Sequence, residues 1–478
     1  MDKVRVRFAP SPTGYVHVGS LRSALYNYLF AKKNNGTMIL RIEDTDQSRL
    51  VEGAVDNLLS SMEWAGIKFD EGPHVGGDFG PYVQSERTEL YRKYAEELME
   101  KGFAYKCFCT SDDLEKMREE QLQQNVPQPQ YDRRCRNLTQ EQIDNKIKNG
   151  EKYTVRLKVP LTKDKVEFTD MVYGNIAVDS DTIADQVLLK SDGFPTYHLA
   201  NIVDDHLMEI SHVIRGEEWI PSTPLHVVLY KAFGWESPKF CHLPLLVNSE
   251  RKKLSKRHGD VSVESFKEKG ILEEALINYV SLLGWHPSGD REVFRMEELI
   301  AEFSAERISK SSAVFDYVKL DWMNSQYLKD ADNERIYNII ANHIKGSDKE
   351  VENKSKWLLI IEALKSRVQK AADIVLEAEL FFNEAVISEE LLDSMVMVES
   401  TQLLLNELIN KVDTVEFNGK NITALMNSIG KENKIKGKML WMPVRIVLTG
   451  QEHGPDLDKM IDIFGKDEFI KRTKACIR

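Results

Sequence analysis

Pro10-Ser11-Pro12-Thr13-Gly14-Tyr15-Val16-His17-Val18-Gly19-Ser20 separates two unlike patterns, and the change of period across it decides the fold of the amino-terminal region. Before it, Val4, Val6 and Phe8 alternate with Arg5 and Arg7. This is a period-2 signal for a strand that Pro10 ends, with both arginines on one face. After it, Leu21, Ala24, Leu25, Tyr28 and Leu29 recur at three- and four-residue intervals, the spacing of an amphipathic helix closed by Gly36. Met38 to Ile42 reads as a second strand leading into Glu43-Asp44-Thr45-Asp46. The result is a β-α-β unit with its glycine-containing turn after the first strand, and such units bind ligands at the carboxyl ends of their strands. Arg7, Ser11, His17 and Glu43 are expected to converge there.

A helix beginning just after His17-Val18-Gly19-Ser20 is expected to offer unpaired backbone N–H groups and a positive dipole end to an anion. Phosphate is the natural guest. Gly19 lets it approach the backbone and His17 can donate to its oxygens, although a histidine here can also simply cap the turn. Much later, Lys253-Leu254-Ser255-Lys256-Arg257 places two lysines on an expected loop. Together the two segments suit a nucleoside triphosphate attacked at its α-phosphate, and no Walker A signature competes with them.

The remaining chain bounds what else this chemistry is joined to. A length of 478 residues predicts about three or four domains, and 42% hydrophobic with 29% charged residues is a globular composition without repeats or low-complexity tracts. Residues Asp2 to Arg7 read as a strand rather than a signal peptide, and no apolar run approaches the ~20 residues that span a bilayer, so no membrane association and a cytoplasmic location are expected. Five cysteines without an export signal do not indicate a disulfide framework. The net charge of -12 argues against a broadly basic nucleic-acid binder, yet phosphate contacts depend on local patches such as Arg251 to His258, Lys431 to Lys438 and Lys466 to Arg478.

The pattern breaks between about Cys107 and Pro160, with a segment rich in Gln and Pro from Glu119 to Gln130, which marks an inserted module. Within it Cys107 and Cys109 share one face of a strand and can meet one metal, Cys135 follows, and no histidine lies between Cys109 and Cys135. Reduced cysteines without a metal remain the alternative. Regular signals return at Ala184 to Leu189, Tyr197 to Val203 and Val213-Ile214-Arg215-Gly216-Glu217-Glu218-Trp219. From about Glu264 the pattern is mostly helical, and after Lys329 strand signals nearly vanish, with apolar helical stretches at Trp357 to Leu364 and Leu403 to Ile409.

The His17 turn resembles the HIGH signature and Lys253 to Arg257 the KMSKS signature of class I aminoacyl-tRNA synthetases, with Ser20 at the fourth HIGH position and the second motif altered to Lys-Leu-Ser-Lys-Arg. Arg7 to Gly14, Arg41 to Asp46, Pro195-Thr196-Tyr197-His198-Leu199-Ala200-Asn201 and Lys253 to Arg257 resemble the bacterial glutamyl-tRNA synthetase family in particular. The resemblance covers essentially the whole chain and is strongest up to about Leu328.

It implies an α/β Rossmann-type catalytic domain with an inserted α+β module, followed by all-α stem-contact and anticodon-binding domains. The implied boundaries are 1–100 and 191–245 for the two catalytic halves, 101–190 for the inserted acceptor-binding module, 246–328 for the stem-contact domain with its Lys-Leu-Ser-Lys-Arg loop, and 329–478 for an all-helical anticodon-binding region of two subdomains. The implied reaction joins L-glutamate to tRNA(Glu) through glutamyl-adenylate, using ATP with Mg2+, in a monomer that needs tRNA present for activation. His17, Lys253 and Lys256 are then the catalytic groups, with Gly19, Trp219 and Ser255 also at ATP. Arg7, Ala9, Ser11, Glu43, Tyr197, Asn201 and Arg215 bind glutamate. For Arg215 the competing reading is an ion pair with Glu217 or Glu218, and for Trp219 a place in the core. Tyr131 would complete a zinc set with Cys107, Cys109 and Cys135, and Arg367 falls where relatives that reject tRNA(Gln) place an arginine. The alternatives are an enzyme that also charges tRNA(Gln), and a catalytically inactive RNA-binding paralogue.

Overall fold

The computed structural model describes residues 3–127, 129–162, 164–254, 261–345 and 353–478. The chain forms two compact units, one of residues 1–263 with 277–316 and one of residues 264–276 with 317–478.

The first unit is α/β. Its elements in chain order include β1 (Arg5–Phe8), α1 (Val18–Lys33), β2 (Thr37–Leu40), α2 (Ala54–Trp64), α3 (Thr88–Glu100), β3 (Ala104–Cys107), α4 (Ser111–Gln123), α5 (Gln140–Lys148), β4 (Thr154–Leu157), β5 (Lys165–Asp170), β6 (Gly174–Asp179), β7 (Val187–Leu189), α6 (Tyr197–Leu207), β8 (His212–Gly216), α7 (Thr223–Phe233) and β9 (Lys239–Leu243). β1 and β2 are parallel, as are β8 and β9, and the Ser211 N–H donates to the Arg5 carbonyl at 3.0 Å, which sets β8 beside β1. The β5–β6 hairpin, which the sequence reading places in the inserted module, joins the same sheet as β8 and β9, in the order β6-β5-β9-β8. The rest of that stretch contributes an antiparallel sheet, β3-β4-β7.

Two local expectations change. The alternation in β1 suggests one dry face and one wet one, but all four residues are buried. Its arginines are covered rather than solvated, because Arg5 pairs with Glu71 at 2.8 Å and Arg7 with Asp205 at 3.1 Å. Helix α1 is not amphipathic either: Arg22, Tyr26 and Asn27 are buried along with the apolar stripe. Each has a donor met by a backbone carbonyl: Ile214 O for Asn27, Ser281 O for Tyr26 and Leu283 O for Arg22. Gly36 is needed for close approach more than for helix closure, since a Cβ there would lie 2.4 Å from the Val4 carbonyl oxygen.

The second unit is built from helices that include Tyr317–Asp330, Asn333–Ile344, Lys354–Leu364, Glu399–Lys411, Gly419–Glu432, Lys438–Thr449 and Leu457–Ala475. Among its described residues there is no strand. Trp357, Ile360, Leu404, Leu408, Met426, Ile461 and Phe469 form part of one apolar core. No described helix is long and apolar enough to cross a membrane.

Candidate active site

A cleft of about 1100 Å³ opens at the carboxyl ends of β1 and β8, over the start of α1. Arg7, Ala9, Ser11, His17, Gly19, Glu43, Tyr197, Arg215, Trp219 and Lys253 all line it. Lys256 and Ser255 lie outside the described residues, whereas their flanks do not: Leu254 N–H donates to Leu246 O at 3.0 Å, and Val261 O accepts from Val18 N–H at 2.9 Å. Leu254 and Val261 line the cleft as well.

His17 is the N-cap of α1. Its Nδ1 accepts from the N–H groups of Gly19 and Ser20 at 3.1 and 3.3 Å, Val18 N–H goes to Val261, and Leu21 N–H goes to the His17 carbonyl. The expectation of unpaired N–H groups at this helix start is therefore corrected, because the protein itself satisfies them. Accepting at Nδ1 leaves the ring proton on Nε2, which stands 3.2 Å from Ser20 Oγ in the exposed mouth of the cleft. The capping role and the donor role are thus compatible, one on each ring nitrogen. Gly19 is tied to the same ring: a Cβ there would lie 2.9 Å from His17 Cε1.

Below the cleft lies a network of buried charge. Arg7 Nε donates to Asp205 at 3.1 Å, Arg41 reaches Asp205 at 2.8 Å and Glu43 at 3.0 Å, and Arg87 reaches Asp204 at 2.8 Å. Burial alone would raise Asp205, but Arg7 and Arg41 outweigh it and hold its carboxyl below the usual range. Glu43 goes the other way, since its burial is only partly offset by Arg41 and Arg7. A bound cation such as an ammonium group would restore the preference for its charged form. Asn201 sits beneath the cleft rather than on its wall, its Oδ1 3.4 Å from both Arg7 Nη2 and Arg41 Nη2.

Arg215 differs from these arginines. Its Nε meets His242 at 3.2 Å, Nη1 meets Tyr197 Oη at 2.9 Å, and Nη2 meets Thr223 Oγ1 at 3.0 Å and His226 at 3.3 Å. Among the described residues no carboxylate pairs with it. Glu217 bonds Tyr173 and the Leu245 N–H instead. A buried arginine with only uncharged partners is unusual, because burying a cation is costly without a counter-charge. Tyr197 Oη accepts from Arg215, so its own proton is available to a ligand, and its ring packs on Trp219 with centroids 4.2 Å apart. Sequence reasoning missed Asp204, Asp205, Asp170, His226 and His242. Asp205 had a signal, since Tyr197, Asn201 and Asp205 are spaced by four on one helix.

The stretch from β3 to β4 holds a second cluster. Cys107, Cys109 and Cys135 have all their sulfurs within 4.8 Å of one another. Tyr131 Oη lies 3.3 Å from Cys107 Sγ and 3.8 Å from Cys109 Sγ, and Cys109 and Cys135 Sγ are 3.6 Å apart. Tetrahedral zinc has edges of about 3.8 Å between sulfurs and about 3.5 Å from sulfur to oxygen, so the four donors fit such an ion. Hydrogen bonding from Cys135 lowers the Cys107 thiol, while the same contact and burial raise Cys135, and burial raises Cys109 and Tyr131.

In the helical unit, Arg367 is exposed just beyond the end of helix Lys354–Leu364 and lines a pocket of about 420 Å³ with Trp441, Arg445 and His453. Burial and the neighbouring Arg367 both lower Arg445. A half-buried aromatic ring beside two guanidinium groups suits an unstacked base of single-stranded RNA.

Comparison with known proteins identifies the family. Residues 3–322 match the family described as tRNA synthetases class I (E and Q), catalytic domain, and residues 316–477 match an anticodon binding domain. The chain is 47% identical to the glutamate–tRNA ligase of Clostridioides difficile, with 98% of each covered, and 47% identical to that of Alkaliphilus metalliredigens, with 99% of each covered. It superposes on the crystal structure of a glutamate tRNA ligase from Elizabethkingia meningosepticum in complex with its amino acid, with a TM-score of 0.90, 37% identity and 99% of each chain covered. The chain belongs to the glutamate–tRNA ligases, class I aminoacyl-tRNA synthetases that attach glutamate to tRNA.

Proposed function

We propose that the cleft activates glutamate for transfer to tRNA(Glu), and that its two halves divide the work. The observation that carries this reading is the uncompensated charge of Arg215 beside Tyr197. Both groups are suited to a side-chain carboxylate, as is the Nη1 of Arg7, which has no partner among the described residues. Glu43 faces the α-ammonium group, with Ala9 and Ser11 on the same wall. Asn201 acts from beneath by holding Arg7.

The α-carboxylate of glutamate attacks the α-phosphorus of ATP, the bond from the α-phosphorus to the α,β-bridging oxygen breaks, and diphosphate leaves with the electron pair. The adenosine 2′-hydroxyl at the tRNA end then takes the glutamyl group, releasing AMP. His17 donates from Nε2 to phosphate oxygens as charge accumulates, Lys253 and Lys256 neutralise the departing diphosphate, and Trp219 packs against adenine. Magnesium carried with ATP supplies further neutralisation of the phosphates. Positioning and charge stabilisation suffice, because neither nucleophile needs a strong protein base.

Cys107, Cys109, Tyr131 and Cys135 would hold a structural zinc ion that fixes the inserted module. Arg367 favours tRNA(Glu) over tRNA(Gln). The protein is taken to act as a monomer in the cytoplasm. Incubation with ATP, labelled glutamate and total tRNA tests the reading: label is expected on tRNA only when all three are present. Labelling of tRNA with glutamine in place of glutamate would sink it.

A further inference from the structure

Behind Arg215 the sheet lines up two buried groups that the reading above leaves without a role. The β8–β9 register sets Arg215 opposite His242, and β5 pairs with β9 where Asp170 meets Phe240. Asp170 Oδ2 lies 2.7 Å from His242 Nδ1 and accepts from the His242 backbone N–H at 3.1 Å. Its Oδ1 accepts from the N–H groups of Val172 and Tyr173, both at 2.9 Å. Every neighbour of this carboxylate donates, so it is an acceptor throughout and the His242 ring proton sits on Nδ1. His242 Nε2 then carries a lone pair, 3.2 Å from the Nε–H of Arg215. Thr223 does not compete for it as a donor, because its hydroxyl donates to the Trp219 carbonyl at 2.9 Å.

We propose that Asp170 and His242 are positioning residues for amino-acid selection: Asp170 fixes the tautomer of His242, and His242 holds the Arg215 fork without neutralising it. The negative charge of Asp170 is kept one imidazole away from Arg215. A carboxylate at the position of His242 would hold Arg215 equally well but cancel the charge that distinguishes glutamate from glutamine. The neutral relay keeps both orientation and charge. This inference rests on the assignment of Arg215 to the glutamate side chain, and the tests separate the two.

Pyrophosphate exchange with tRNA present is measured for Asp170→Asn, His242→Leu and His242→Gln. Asparagine places a donor against Nδ1 and favours the opposite tautomer; leucine removes the acceptor; glutamine offers Oε1 near the position of Nε2. The first two are expected to raise KM for glutamate tenfold or more and to narrow the preference for glutamate over glutamine by a similar factor, with KM for ATP within about twofold. His242→Gln should stay within about threefold of the wild type in all three. Equal losses toward ATP and glutamate, or no rescue by glutamine, would mean a merely structural role and overturn the proposal. If Arg215→Ala leaves KM for glutamate unchanged, the assignment of the pocket fails instead. Should the variants not fold, nitrogen-15 NMR of histidine-labelled wild-type protein decides: His242 is expected as the neutral Nδ1–H tautomer, and the Nε2–H form refutes the relay.

Discussion

Arg7 on the first strand is held through its Nε by Asp205 on helix α6 at 3.1 Å, and the same carboxylate accepts from Arg41 at 2.8 Å. One aspartate thereby fixes two arginines under the amino-acid pocket. Asp205→Asn removes the counter-charge while keeping the shape, and breaking a buried pair in this way costs about 3–5 kcal/mol. The expected result is a clearly lower urea midpoint together with weaker glutamate binding. An unchanged midpoint would show that the network is solvated.

The two nitrogens of His17 can be separated by substitution. Asparagine is a good N-cap and can accept from the Gly19 and Ser20 N–H groups, but it has no counterpart of Nε2. His17→Asn is therefore expected to keep stability within about 0.5 kcal/mol while turnover falls about 10² to 10³-fold. His17→Ala loses the cap as well, at a further cost of about 1 kcal/mol. If asparagine retains turnover, the histidine serves the helix alone.

Histidine burial gives the fold an acid-sensitive window. Burial, helped by Arg215, pushes His198 down to about 4, and burial with Lys239 does the same to His212. In the unfolded chain both take up protons near 6.5, but in the folded protein only near 4. The unfolded state thus binds more protons between these values, and stability falls as the pH drops from 6.5 toward 4. Each such proton contributes a slope of about 1.4 kcal/mol per pH unit. Urea midpoints at pH 7.5 and 5 should differ in that direction, and His198→Gln should flatten the difference.

What local pattern could show here was largely periodicity and motif chemistry. The strand at β1, the helix after His17 and the convergence of Arg7, Ser11, His17 and Glu43 come from short stretches whose spacing is visible, whereas Tyr197, Arg215 and Trp219 came from the family resemblance. The state of Arg215 follows from neither. Whether it pairs with Glu217 two residues away depends on Tyr173 and Leu245, which engage Glu217 through tertiary contacts. Asp170 was equally hidden, because the choice of β9 as partner for β5 is non-local and no period announces it. The satisfied N–H groups of α1 also depended on distant chain, since the return of Val261 to Val18 spans most of the catalytic unit.

For the cysteine cluster the expected outcome is about one equivalent of zinc in protein purified from zinc-containing medium, by elemental analysis. Cys135→Ser should lose the ion. Tyr131→Phe keeps all three sulfurs and should weaken binding without abolishing it, because the Oη would supply one of the four ligands and accepts the Cys135 N–H at 3.1 Å. Chelation should then expose the module to proteolysis, since a structural metal contributes directly to folding. A phenylalanine variant with unaltered affinity would leave a three-sulfur site.

If the pocket of the helical unit reads a base, its substitutions should separate tRNA recognition from catalysis. Trp441 offers a ring on which a base can stack, and Arg367 and Arg445 place two guanidinium groups around it. Loss of a stacking ring costs about 1–3 kcal/mol per base, so Trp441→Ala is expected to lower kcat/KM for tRNA(Glu) by about ten- to a hundredfold. KM values for ATP and glutamate at saturating tRNA should not move, because neither substrate meets this pocket. Arg367→Gln tests selectivity in a different way. Its guanidinium can offer donors but no acceptor, whereas an amide offers both, so discrimination between bases of opposite polarity should weaken. The expected result is a smaller ratio of tRNA(Glu) to tRNA(Gln) charging, with thermal stability unchanged because Arg367 is exposed. A ratio equal to the wild type, with charging of both tRNAs reduced alike, would make Arg367 a contact to the phosphate backbone.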